Sequence, residues 1–262
     1  MDDTTCAYLI NTTPKYFYLL PLHISLLHRY APSCTWPIYI ATESPELLLP
    51  MPLAKVNIIH LPTNAEAFFD SRAEAVRRLP PSIKYVFPIQ EDFLLEGRPM
   101  KEPIQEAIDL LNTHPDLSSV RLMPCPGPRG VKGFQTTRFR VLEKETDTII
   151  FTYQATIWRR ADYLSFMDAL IAYSTEKTLP TEDRQKKQNN IAIKINLAEI
   201  HIGQSLLHSV LPSKEHIAWL REGDHPNAVY LSPWPYRPTA VVRGQLEPWA
   251  VDLAKREGFS FP

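Results

Sequence analysis

Tyr85-Val86-Phe87-Pro88-Ile89-Gln90-Glu91-Asp92-Phe93-Leu94-Leu95-Glu96-Gly97 is the most informative run in this chain. Its first half is an apolar run rich in strand formers, and it breaks abruptly into acid. A buried strand that ends in carboxylates suits an open α/β sheet, where ligands sit outside the carboxyl ends of the strands. Two adjacent acids there have the chemistry to hold a divalent cation against a diphosphate, because hard cations prefer oxygen ligands. The competing reading is a strand that closes in a solvated acidic turn.

Working outward, the flanking sequence alternates short strands and short helices. Ala7-Tyr8-Leu9-Ile10 reads as a first strand, followed by Asn11-Thr12-Thr13-Pro14, whose amide and hydroxyls suit a turn or a helix cap. Tyr16, Leu19, Leu20, Ile24 and Leu27 recur at helical spacing and predict a helix over 16–30, kinked at Pro21. Strands are predicted over 36–41 and 56–60, a short amphipathic helix over 68–79, and a helix over 102–111. This order, at this spacing, predicts a mixed, mostly parallel central sheet flanked by helices.

Beyond it, strands are predicted over 120–123 and 148–153, with a glycine- and proline-rich loop over 124–133 between them. Helices are predicted over 162–173 and 191–210, a polar loop over 174–190, a hairpin over 240–246 and a short last helix. No internal repeat or long linker interrupts the chain, so 1–262 reads as one α/β domain.

Bulk properties exclude several classes. A formal net charge of −1 leaves no global basic field to attract nucleic acid. Cys6, Cys34 and Cys125 are far apart and form no CxxC pair, which argues against a zinc knuckle and for reduced thiols in a cytoplasmic protein. The polar, acidic Met1-Asp2-Asp3-Thr4-Thr5 is no secretory signal, and no apolar run approaches the ~20 residues that span a bilayer. With 25 prolines and 8 glycines, short elements with stiff connections are expected. GxSxG, HExxH, Walker A and GxGxxG patterns are all absent.

Three segments together resemble a small GT-A-type glycosyltransferase, of the kind found in bacteria and large DNA viruses. They are 8–14 with the strand 37–43, the acidic stretch 85–97, and Phe151-Thr152-Tyr153-Gln154-Ala155-Thr156-Ile157-Trp158-Arg159-Arg160. The resemblance implies a single GT-A-like, Rossmann-related domain. Residues 1–123 would form the nucleotide-sugar-binding half, and 124–262 the acceptor-side half and tail. It implies sugar transfer from a nucleoside diphosphate sugar to a glycan or other hydroxyl acceptor, assisted by Mn²⁺ or Mg²⁺.

The same resemblance implies the site. Asp92 takes the place of the last acid of a DxD motif, the metal ligand, with Gln90 in the position of the first acid. If strand geometry persists, Gln90 and Asp92 share one face and Glu91 the other, with Gln90 able to reach a ribose hydroxyl or a metal-bound water and Glu91 a lesser candidate for donor contact. Asn11, Thr12, Thr13, Thr42 and Glu43 are candidate contacts to base and ribose; each is also an ordinary turn former. Trp158 is either a sugar-stacking platform or a core residue. Arg159 or Arg160 is a candidate diphosphate contact, with Arg129, Lys132 and Arg243 as alternatives. Glu199 is the candidate general base, unless it lies on a solvated helix face; Glu176, Glu182 and Asp183 are rivals. His225 is a candidate second metal ligand.

An inverting glycosyltransferase is therefore expected. A non-catalytic GT-A-like module that binds a nucleotide or glycan is the alternative, and a related nucleotidyltransferase is a third possibility.

Overall fold

The computed structural model describes residues 4–44, 56–62, 68–123, 136, 138–141, 151–176, 217–220 and 232–261. Glu199, His225, Arg129, Lys132, Glu182, Asp183 and the helix expected over 191–210 lie outside the described residues.

The apolar runs become strands: β1 (Cys6–Asn11), β2 (Ile38–Thr42), β3 (Val56–His60) and β4 (Tyr85–Gln90). These four run parallel in the spatial order β3-β2-β1-β4. The sheet continues past β4 through β8 (Thr156–Arg159), β6 (Ser119–Arg121), β9 (Ile217–Leu220) and β7 (Phe139–Val141). β8 is antiparallel to both its neighbours, and β7 is antiparallel to β9. Six of the eight strands thus point one way, giving the mixed, mostly parallel sheet that the sequence pattern predicts.

Side-chain alternation feeds two cores. Cys6, Tyr8 and Ile10 of β1, and Tyr85, Phe87 and Ile89 of β4, enter the core under α1 (Leu20–Tyr30), α3 (Lys101–Thr113) and α5 (Pro248–Arg256). Ala7, Leu9 and Val86 enter the opposite core, under α2 (Phe68–Arg77) and α4 (Arg160–Glu176). The result is three layers, helix on sheet on helix. Among the described residues no helix is long and apolar enough to cross a membrane.

Two local expectations are corrected. Pro21 does not kink a long helix. A 3-10 helix over Pro14–Leu19 precedes α1, and Pro21 occupies its first turn, where the missing N–H has no intrahelical partner to lose. The strand expected over 148–153 is not formed at 151–155, which is irregular. There the Thr152 hydroxyl accepts the Gln154 N–H at 3.3 Å, an alternative to strand pairing, and the strand begins only at Thr156.

The tail is part of the domain. β10 (Tyr236–Arg237) pairs with β5 (Leu94–Leu95), just beyond the acidic turn. The predicted hairpin forms from β11 (Val241–Val242) and β12 (Gln245–Leu246). Arg243 and Gly244 at its turn both have positive φ (52° and 80°), the left-handed geometry of such a tight turn. Trp234 is 1% exposed and stacks on Trp36 with ring centroids 5.9 Å apart.

Candidate active site

Chain direction places the site. From β1 the chain steps outward to β2 and β3, then crosses back to β4 on the other side of β1. β1 and β4 therefore flank a topological switch point, whose carboxyl-end crevice is the ligand position of open α/β sheets. Asn11 and Gln90, the last residues of the two strands, are direct neighbours across it.

Pro88 helps open this crevice. The β4–β8 ladder covers only Tyr85 and Val86 and stops short of Pro88, which has no N–H to continue it. Above that point the wall of the cleft is irregular chain rather than strand. Asn11, Arg72, Pro88 and Gln90 line it together with Thr152, Tyr153 and Gln154.

Gln90 and Asp92 do not share a face. The strand ends at Gln90, and the Phe93 N–H donates to the Gln90 carbonyl at 3.1 Å, closing a turn over 90–93. Gln90 lines the cleft, whereas Asp92 turns to the tail hairpin. The Ala240 N–H donates to the Asp92 carbonyl at 2.9 Å, and the Val241 N–H donates to its carboxylate. One carboxylate oxygen, Asp92 Oδ1, is buried and has no hydrogen-bond partner among the described residues.

Burial raises both acids. Asp92 is pushed up to about 6 by burial, opposed by the Val241 amide and by its own. Glu91 is pushed up to about 8, chiefly by burial, with Asp92 and Glu43 adding repulsion and Arg72 opposing them. Of the two, Glu91 is held the more strongly towards its neutral form. The Tyr18 phenol is also raised, mainly by burial, with the charges of Tyr16, Asp92 and Glu91 adding to it.

The other predicted residues distribute unequally. Thr12 is 3% exposed, and its hydroxyl has no hydrogen-bond partner among the described residues. Thr42 is fully buried, and its hydroxyl accepts the Ser44 N–H at 3.2 Å, a turn-forming role. Thr13 is exposed. Asn11 Nδ2 donates to the Ser71 carbonyl at 3.4 Å.

Trp158 is not a stacking platform. It is 2% exposed at the cleft floor and stacks on Phe166 with near-parallel rings, so its faces belong to the core. Arg159 is also misplaced for a diphosphate. It pairs with Tyr85 at the start of β4, the opposite end from the acidic turn. Its guanidinium donates to the carbonyls of Leu111, His114 and Leu117, closing the C-terminus of α3. Arg160 does the same beyond α2, donating to the carbonyls of Pro80 and Leu79 at 2.7 and 2.9 Å. Each arginine satisfies orphan carbonyls at the negative end of a helix. Arg243 is exposed on the hairpin turn.

Sequence reasoning missed Arg72 and His23. Arg72 is 9% exposed, lies over the Phe68 ring at 3.3 Å, and is a positive charge facing the acidic turn. Its signal was an arginine on the apolar face of an amphipathic helix, between Phe69, Ala73 and Val76. His23 sits 2% exposed among the leucines of α1.

For the metal implied by resemblance, the donor set is sparse. Among the described residues no three histidine, cysteine or acidic side chains converge to hold a cation. Asp92 Oδ1 is nonetheless a buried carboxylate oxygen with no hydrogen-bond partner among the described residues. That suits a cation which takes one or two carboxylates and completes its shell with phosphate oxygens and water, as Mg²⁺ does.

No family model matches this sequence, and no curated protein is similar to it in sequence. Among solved structures it is similar to a 1–349 fragment of TarS from S. aureus, at 13% identity and a TM-score of 0.46. The match covers 83% of this chain and 58% of that one, so the chain spans little more than half of that neighbour. It is also similar to a CMP:2-keto-3-deoxy-manno-octonic acid synthetase complexed with CTP. That match has 13% identity and a TM-score of 0.39, covering 75% of this chain and 86% of the other.

Proposed function

We propose that this chain is a glycosyltransferase that moves a sugar from a nucleoside diphosphate sugar to an acceptor hydroxyl. The observation that carries the reading is the switch-point crevice, with Asn11 and Gln90 side by side and an acidic turn directly beyond. That turn holds a buried carboxylate oxygen with no hydrogen-bond partner among the described residues.

In this reading the base and ribose lie over the ends of β1 and β2. Asn11 and the Thr12 hydroxyl offer hydrogen bonds there, with Glu43 at the edge. Arg72 supplies positive charge inside the crevice, held rigid by Phe68. Gln90 offers an amide to a ribose or sugar hydroxyl. Asp92 would hold Mn²⁺ or Mg²⁺, which when bound neutralises charge developing on the leaving diphosphate. Glu91, held towards its neutral form, donates a hydrogen bond rather than a charge. Glu199 is the proposed base that accepts the acceptor hydroxyl proton as the sugar carbon inverts, and His225 the proposed late metal ligand.

A thermal-shift screen of UDP, GDP, dTDP and CMP and their sugars, with and without Mn²⁺ or Mg²⁺, tests the reading. Ligands that bind only the native state raise the melting midpoint. The expected result is a shift by one nucleotide family, enlarged by metal and reduced by Asp92→Asn; silence across the panel refutes it.

Two observations favour a second reading, a non-catalytic nucleotide- or glycan-binding module. Gln90 replaces an acid, and the Asp92 carboxylate is partly engaged by the hairpin. Release of nucleoside diphosphate from a bound donor separates the two, because a pure binder releases none.

A further inference from the structure

We propose that His23 is a positioning residue that sets the Glu91–Asp92 peptide in the acidic turn; the catalytic part of this inference rests on the transferase reading. His23 Nδ1 lies 3.0 Å from the Glu91 carbonyl oxygen, and Nε2 lies 2.7 Å from the Tyr8 hydroxyl. A carbonyl oxygen only accepts, so Nδ1 carries the hydrogen. In the neutral ring Nε2 is then the acceptor, and the Tyr8 hydroxyl donates to it. Burial holds the ring neutral, lowering it to about 4. Tyr8 is itself locked, 2% exposed, between the rings of Phe87 and Trp234. A directional chain therefore runs Tyr8 O–H to His23, and His23 N–H to the Glu91 carbonyl.

The consequence is geometric. A trans peptide directs its C=O and the next N–H to opposite sides. With the Glu91 carbonyl pulled inward onto His23, the Asp92 N–H points away from α1, towards the Asp92 carboxylate. The Val241 amide reaches that carboxylate from the hairpin. The turn is thus held from inside by α1 and from outside by the tail. A leucine at position 23 would suit the apolar face of α1, where Leu20, Leu22, Ile24, Leu26 and Leu27 are all buried. A buried imidazole there costs desolvation that its two hydrogen bonds must offset.

The test compares His23→Leu, His23→Asn and Tyr8→Phe in the full chain. Asparagine keeps a donor near the Nδ1 position, whereas leucine keeps only bulk. Amide hydrogen exchange needs no substrate and reads the turn directly. In His23→Leu the Ala240 and Val241 amides are expected to exchange at least tenfold faster, with core amides of β1 unchanged. His23→Asn restores protection, and Tyr8→Phe lies between. If the wild type turns over a donor, kcat falls at least tenfold in His23→Leu, with nucleotide KM within about twofold, and recovers in His23→Asn. Uniform acceleration of exchange across the sheet, or equal loss in the leucine and asparagine variants, overturns the proposal. Absence of wild-type turnover with intact exchange behaviour refutes the transferase reading alone.

Discussion

An Arg159→Ala substitution deletes four hydrogen bonds at once. Nη2 donates to the carbonyls of Leu111 at 2.6 Å, His114 at 3.1 Å and Leu117 at 3.1 Å, and Nε to Leu117 at 3.3 Å. It also removes an ion pair to Asp162 at 3.6 Å. Hydrogen bonds to charged groups contribute about 1.5–3 kcal/mol each, but three here share one nitrogen and are not additive. The side chain is 25% exposed, so water re-solvates part of what is left. A net loss of about 2–4 kcal/mol follows, against which the ion pair contributes little. For a domain of this size that lowers Tm by about 5–10 °C. Arg159→Lys keeps the charge without the planar fork and falls between the two. The assay is a thermal melt paired with nucleotide affinity in the folded protein. The expected outcome is a lower Tm with unchanged affinity. A Tm shift under about 1 °C with at least tenfold weaker nucleotide binding refutes the reasoning and returns Arg159 to the phosphate.

The remaining predictions concern the site. Asp92→Asn keeps the size of the side chain and is expected to cut turnover about 10²-fold or more while Tm stays within a few degrees; unchanged turnover removes Asp92 from the chemistry. Trp158→Ala empties a buried site and is expected to cost about 3–5 kcal/mol in urea unfolding, whereas a sugar platform would change KM with little change in stability. Glu91 has a higher proton affinity in the folded than in the unfolded chain. Its contribution is therefore fully present below about 4.5 and lost as pH rises through about 8. His23, lowered from 6.5 to about 4, acts oppositely, adding stability as pH rises between those values. The Tm difference between wild type and Glu91→Gln isolates the glutamate and is expected to become less favourable to wild type from pH 4.5 to 8; a flat difference removes the buried acid.

Much of the architecture was legible because it rests on local pattern. The run 85–89 alternates between two cores, and an apolar run closed by turn residues has few other uses. The position of the acidic turn was legible for the same reason. Its internal geometry was not: alternation predicts that Gln90 and Asp92 share a face only while strand pairing lasts, and pairing stops at Gln90. Trp158 took the core reading that the sequence left open, whereas Arg159 was misplaced because sequence gives no direction along a strand's partner. β8 runs antiparallel to β4, which puts Arg159 at the far end of the sheet from Asp92. The packing of Tyr236 against Phe93 was also invisible, since those residues meet only through long-range pairing of β5 with β10. Arg72 and His23, by contrast, were readable as polar residues on apolar helix faces. The cost of burying such groups without partners makes them informative.

The pairing of β10 with β5, and the hairpin amides on Asp92, bear on how the protein is made. Domains generally form as the chain emerges from the ribosome, N-terminal part first. Strands β1 to β4 emerge well before residues 236–241. A nascent chain that has already laid down its parallel strands holds the turn at Glu91 and Asp92 only from inside, through His23. The second hold is added only when residues 236–241 dock, so the final shape of the turn waits on a segment made well over a hundred residues after it.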